Sequence, residues 1–206
     1  MITRDSILGV VLAGGQGRRM GGGVSKPLVP LGQRVLMDHV LDRATPQCHR
    51  MIINANGDSR GYDRFGLPIV PDNLTGFPGP LAGVLAALDW ASQHAPQCHH
   101  VMSFAGDAPF LPRDLVARLA EAVNNGADMA RARSFGQRHP VFCLWPVSIR
   151  AELRDQLVNH DVRKIDRFTA AWSVDEIDFD GIPDPFFNVN TPEDRAEAER
   201  FLNGSG

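Results

Sequence analysis

The run Ile7-Leu8-Gly9-Val10-Val11-Leu12 opens directly into Ala13-Gly14-Gly15-Gln16-Gly17-Arg18-Arg19-Met20-Gly21-Gly22-Gly23-Val24-Ser25-Lys26, an apolar stretch of strand length followed by six glycines, two arginines and a lysine. Glycine lets backbone N–H groups approach an anion closely. Arg18, Arg19 and Lys26 place three like charges near one another, an arrangement that favours an anion between them. A tight turn would use the glycines but not the cations, so the pattern points to a polyphosphate. Two other phosphate loops do not fit. The dinucleotide pattern starting at Gly15 meets Met20 where its third glycine belongs, and the P-loop pattern starting at Gly17 meets Gly23 where its lysine belongs.

Two carboxylates stand out further along. Asp107, in Phe104-Ala105-Gly106-Asp107-Ala108-Pro109, ends an apolar run and suits a Mg²⁺ ion, which takes one or two carboxylates together with phosphate oxygens. It equally suits the cap of a helix opening near Pro112. Asp72 precedes Gly79-Pro80-Leu81-Ala82-Gly83, where glycines allow close approach and proline sits without loss at a helix start. Taken alone, Asp72 reads as a turn residue.

Composition bounds these readings. A chain of 206 residues that is 43% hydrophobic can bury one substantial core. A net charge of −3 argues against nucleic acid or anionic membrane as partner, because that attraction requires clustered positive charge over a whole face. Cys48, Cys98 and Cys143 are odd in number and lack a C-x-x-C spacing, which fits reduced thiols used as apolar filler and provides no zinc site. His94, His99 and His100 flank Pro96 in a polar connector and read as a solvated loop. No stretch has the length of a membrane span, and a soluble, cytoplasmic protein is expected.

The elements that position these groups alternate. Val35, Leu36, Val40, Leu41 and Ala44 form a helical stripe, Met51–Asn56 a strand, Leu81, Val84, Leu85 and Leu88 a helix, and Val101–Ala105 a strand. A helix opening at Pro109–Pro112 turns Leu115, Val116, Leu119 and Val123 inward. The alternation predicts an α/β fold of three layers, a Rossmann-like, mostly parallel sheet with helices on both faces. Residues 127–133 and 140–145 read as strands, Ile149, Leu153 and Leu157 as a helix, and 172–179 as extended chain, together a small lid or insertion over about 127–180 of a 1–206 domain. Phe186–Asn190 is expected as a last strand, with Thr191 capping a helix that starts at Pro192. Ligands of open parallel sheets bind beyond the carboxyl ends of the strands. The Leu12–Lys26 loop, Asn54, Asn56, Asp72 and Asp107 should therefore meet at one edge.

The loop Leu-Ala-Gly-Gly-x-Gly-Arg-Arg-Met-Gly-Gly with its following Lys26 resembles the signature of nucleotidyltransferases, and most closely that of the molybdenum cofactor guanylyltransferases. Gly79-Pro80-Leu81-Ala82-Gly83, the Asp107 stretch, His139-Pro140, Arg163-Lys164 and Asn188-x-Asn190-Thr191-Pro192-Glu193-Asp194 have counterparts there in the same order. This chain departs at Gly106 and Ala108, where the family usually has Cys and Thr, and at Ser25, where it usually has Asp with one residue fewer before it.

The resemblance implies a nucleotidyltransferase that moves GMP from GTP to the phosphate of the molybdopterin cofactor with Mg²⁺, releasing pyrophosphate. It implies catalytic roles for Arg19, Lys26 and Asp107, with Asp107 as metal ligand. Leu12, Ala13, Gly14, Gly15, Lys26, Asn54, Asp72 and Asp107 would contact the nucleotide, and Arg163, Asn188 and Asn190 the pterin. Cofactor-delivering proteins and chaperones of apo-molybdoenzymes would be partners. The alternatives are a cytidylyltransferase on the same pterin, a sugar-1-phosphate nucleotidyltransferase, and a non-catalytic nucleotide-binding adaptor, which would be expected to lack Lys26 or Asp107.

Overall fold

A computed structural model describes residues 1–14, 25–74, 76 and 79–204. The strands are β1 (Ile7–Leu12), β2 (Pro30–Leu31), β3 (Arg34–Val35), β4 (Arg50–Asn54), β5 (Ile69–Val70), β6 (His100–Ala105), β7 (Met129–Ser134), β8 (Gln137–Pro146) and β9 (Val174–Asp178). The helices are α1 (Leu36–Ala44), α2 (Pro80–His94), α3 (Leu115–Asn124), α4 (Arg150–His160), α5 (Ile165–Thr169) and α6 (Pro192–Leu202). β2 and β3 form a small hairpin, and the other strands make a 7-stranded sheet in the order β5-β4-β1-β6-β8-β7-β9. β8 runs antiparallel to both its neighbours, and the remaining pairings are parallel.

Alternation along β1 divides the core. Ile7 and Val11 pack with α1 and α3 on one face, while Leu8 and Val10 pack with α2, α4 and α5 on the other. This is the expected α/β sandwich of three layers. α2 is buried along most of its length because it lies over the strands β1, β4 and β6 at the middle of the sheet.

Several boundaries differ from the sequence expectation. Within residues 127–180, β7, β8 and β9 hydrogen-bond into the same sheet as β1, and α4 and α5 cover it. The stretch Phe186–Asn190 is not a strand. Asp184 closes a turn there, its side chain accepting from Phe186 N–H at 3.0 Å and its carbonyl from Phe187 N–H at 3.0 Å. Phe186 then packs in the α1 and α3 layer, and Val189 in a cluster with Leu31, Leu36, Phe110 and Ala198. A short buried apolar run carries the same composition whether or not it is paired, so its pattern does not distinguish a strand from a buried turn. α3 begins at Leu115 rather than at Pro109–Pro112. Thr191 does cap α6, accepting from Asp194 N–H at 3.1 Å while Asp194 accepts from Thr191 N–H at 2.9 Å.

Candidate active site at the carboxyl edge of the sheet

Register brings the site together. Leu12 pairs with Asn54 on one side and with Ala105 on the other, and Asn54 pairs with Val70, so four strands end in one row. Gly14, Asn56, Asp72 and Asp107 each stand two residues beyond that row. The ladder extends slightly further, Ala13 N–H donating to Asn54 O at 2.8 Å and Gly106 N–H to Leu12 O at 3.2 Å. Above the row lies a cavity of about 500 Å³, lined among others by Leu12, Gly14, Lys26, Asn54, Asp72 and Asp107.

One group of side chains centres on Lys26, in the 3-10 turn Lys26–Leu28. Its ammonium donates to Asp107 Oδ2 and to Asn190 Oδ1. Asp107 caps no helix, since α3 starts eight residues later, and its backbone oxygen accepts from Val189 N–H at 3.0 Å. That bond holds the 188–190 segment against the strand end and brings Asn190 to the lysine. Gly106 is required by close packing: a Cβ there would lie 2.8 Å from Pro27 Cγ.

A second group centres on Asp72. Asn54 donates to its Oδ1 at 2.9 Å and Asn56 to its Oδ2 at 2.7 Å, while Asp72 N–H donates to Asn56 Oδ1 at 2.8 Å. Asn54 is buried and also donates to Val70 O at 3.0 Å. Asp72 is thus held by two amide side chains at the end of β4, which a simple turn residue would not be. Helix α2 packs directly on this pair: a Cβ on Gly83 would fall 2.3 Å from Asn54 Oδ1 and 2.9 Å from Leu12 Cδ2. The Gly-Pro-Leu-Ala-Gly motif owes its last glycine to that approach.

The other expected site residues fall in different places. Ala13 is buried, and its carbonyl faces Ser25 and Tyr62. Arg163 lies by the rim, donating to Gly76 O at 3.1 Å and to Asp161 at 2.6 Å. Asn188 is exposed and does not line the cavity. Gly15, Arg18 and Arg19 lie outside the described residues. Asn56 proves to be a working member of the Asp72 group, and Tyr62, the chain's sole tyrosine, had no motif to mark it.

The cavity's donor set suits a divalent cation accompanied by phosphate. Among the described lining residues there are two carboxylates and one cation, so a triphosphate entering here needs further positive charge. Asp107 Oδ1 carries no hydrogen bond from a described residue and is available as a ligand. Among the described residues no group of three or more His, Cys, Asp or Glu gathers. The three cysteines are free and buried, and burial raises each thiol above its ordinary range. His100 is partly buried at the start of β6 rather than solvated in a loop.

A family model described as a MobA-like NTP transferase domain matches residues 9–174. A molybdenum cofactor guanylyltransferase of Bradyrhizobium sp. is 50% identical over 201 residues, covering 97% of this chain and 94% of its own. One of Nitrobacter hamburgensis is 52% identical over 195 residues, covering 94% and 93%. The chain belongs to the molybdenum cofactor guanylyltransferase family. Among solved structures, molybdopterin-guanine dinucleotide biosynthesis protein A from Archaeoglobus fulgidus superposes with a TM-score of 0.76 at 25% identity, covering 96% of this chain and 99% of that one. The 4-diphosphocytidyl-2C-methyl-D-erythritol synthase of Anaerococcus prevotii shares the fold, with a TM-score of 0.74 at 14% identity over 96% of each chain. The guanylyltransferase family member described here is therefore a nucleotidyltransferase, of a class that generally works with a divalent metal. Among its described residues no helix is long and apolar enough to cross a membrane.

Proposed function

We propose that this enzyme transfers GMP from GTP to the terminal phosphate of molybdopterin, forming molybdopterin guanine dinucleotide and pyrophosphate in the cytoplasm. The observation that carries the reading is the meeting of Lys26 and Asp107 at the strand-end cavity of a chain from this family. An oxygen of the acceptor phosphate attacks the α-phosphorus of GTP. The bond from that phosphorus to the oxygen bridging the β-phosphate breaks, and pyrophosphate leaves with the electron pair. The acceptor is already ionised at neutral pH, so no side chain has to remove a proton. Positioning and neutralisation of charge carry the rate.

Lys26 supplies a compact ammonium to the phosphates, joined by Arg19. Asp107, and specifically its unengaged Oδ1, would hold Mg²⁺, which when bound neutralises phosphate charge. Leu12, Ala13, Gly14 and Gly15 would contact the nucleotide, and Asp72, held by two amides, accepts from base or ribose hydrogen-bond donors. Asn190, Arg163 and Asn188 are assigned to the pterin side, with Asn190 nearest the reacting phosphates through its contact with Lys26. Delivery of the cofactor and its onward passage to apo-molybdoenzymes would involve further proteins.

Thermal denaturation with Mg²⁺ and GTP, CTP or ATP tests this reading. A nucleotide at about 100 times its Kd adds about 2.7 kcal/mol to the native state, or about 5–10 °C in a chain of this size. GTP should give the largest shift and should release pyrophosphate in the presence of molybdopterin. A larger shift and faster release with CTP would make the enzyme a cytidylyltransferase.

A further inference from the structure

We propose that Tyr62 is a positioning residue that holds the Lys26 ammonium in place against Asp107 by way of Ser25, an inference that rests on the phosphate-binding role given to Lys26 above. Tyr62 belongs to the 3-10 helix Arg60–Phe65 and is 2% exposed. Its hydroxyl lies 2.6 Å from Ser25 Oγ, a strong hydrogen bond, and both hydroxyls reach the Ala13 carbonyl at the longer distances of 3.4 and 3.5 Å. Ser25 immediately precedes Lys26, and Ala13 immediately precedes Gly14 in the cavity wall. Burial raises the phenol above its ordinary range, so the hydroxyl keeps its proton at neutral pH.

The same short helix meets the lysine turn at its other end. A Cβ on Gly61 would fall 2.4 Å from Leu28 Cδ1, so the Leu28 side chain of the turn lies directly on the helix at Gly61. On its far side the turn presses Pro27 onto Gly106, the neighbour of Asp107. Lys26 is therefore carried on a turn wedged between the Arg60–Phe65 helix and the end of β6. Gly61 and Leu28 bring the turn into contact with the helix. Tyr62 and Ser25 fix its first residue by direction, which packing cannot do for a serine.

Removing the hydroxyl alone distinguishes positioning from mere packing, because Tyr62→Phe keeps the buried ring. The chain contains only two lysines, Lys26 and Lys164, and Lys164 is exposed and remote in sequence from the turn. Acylation of the substrate-free protein with an amine-selective ester, read by peptide mapping as the Lys26-to-Lys164 ratio, reports the hold on Lys26 directly. Loss of one buried hydrogen bond shifts local opening by about three- to tenfold, and Tyr62→Phe and Ser25→Ala should each raise the ratio by that factor. The double variant should raise it no further. Turnover of GTP with molybdopterin should fall by about tenfold in kcat, with KM for GTP little changed, because a displaced charge costs most where positioning carries the rate. A labelling ratio unchanged in both single variants overturns the proposal whatever their turnover. A wild-type enzyme that releases no pyrophosphate from GTP overturns the functional reading instead, and the ratio still decides the role of Tyr62.

Discussion

Lys26 and Asp107 stand 81 residues apart in the chain, and in the fold the ammonium of one rests on the carboxylate of the other. Neither is at the end of a long mobile reach: their side chains are 14% and 22% exposed. A cation and a carboxylate side by side offer a triphosphate and a divalent ion their two complementary partners at one point. On the proposed reading, the pair is the chemical centre of the site.

Lys26→Ala should lower turnover by about 10²–10³-fold, the typical loss when one preorganised contact to developing charge is removed. Stability should change by no more than about 1 kcal/mol, since Asp107 keeps some access to water and a partly exposed ion pair contributes little to folding. Lys26→Arg should rescue poorly, because the planar guanidinium does not reproduce a compact ammonium beside Asp107 and Asn190. Initial rates of pyrophosphate release set against melting temperature check both. Full activity in Lys26→Ala would remove the lysine from the mechanism.

Asp107→Asn retains shape and the backbone bond from Val189 but loses the charge that would hold a divalent ion. Turnover should collapse while the melting temperature stays close to that of the wild type. Titration with Mg²⁺ should show weaker activation by the metal wherever residual activity can be followed. Near-normal guanylyl transfer at the same Mg²⁺ concentration would mean that the ion is held elsewhere.

The layout of this site was open to sequence reasoning because strand ends in a parallel sheet are a general address. Once Ile7–Leu12, Met51–Asn56 and Val101–Ala105 are read as strands, Gly14, Asn54 and Asp107 must approach one another, and the cavity contains them. Tyr62 could not be found this way. It acts from a 3-10 helix, whose short span leaves no periodicity, and its partner Ser25 occupies a position where the family usually has Asp. The resemblance points Asn190 toward a ligand and the sequence reads it in a strand, whereas the fold brings it to Lys26 from irregular chain through the bond from Val189 N–H to Asp107 O. Side-chain-to-backbone ties of that sort depend on tertiary contact and leave no pattern in the chain.

Gly83→Ala should damage the nucleotide side of the site without touching the lysine. The new Cβ would lie 2.3 Å from Asn54 Oδ1, and Asn54 is buried and tied to both Val70 O and Asp72, so it has little room to yield. Overpacking of this kind costs about 1–3 kcal/mol, which corresponds to roughly 2–12 °C in melting temperature for a chain of this size. KM for GTP should rise more than kcat falls, because Asp72 is displaced while Lys26 and Asp107 are not. An unchanged KM with a lowered melting temperature would separate Asp72 from nucleotide binding.

Acid should weaken the fold through His100. Its Nδ1 is buried without a hydrogen-bond partner among the described residues, and burial, aided by the nearby charge of His99, pushes its pKa from 6.5 down to about 4. The folded protein therefore holds this imidazole neutral over a range in which the unfolded chain takes up a proton. Stability from this source is complete above pH 6.5, falls as pH drops through the window, and stops falling below about pH 4. At pH 5 the loss is about 2 kcal/mol. His139, half-buried beside Phe186 and lowered by burial against the opposing charge of Asp184, acts in the same direction. His100→Leu removes one of these two groups. Its melting temperature should therefore vary less between pH 6.5 and 4.5 than that of the wild type, and the variant should gain more relative to the wild type at pH 5 than at pH 8. Parallel pH profiles for the two proteins would show that His100 takes up its proton in the folded state as readily as in the unfolded one.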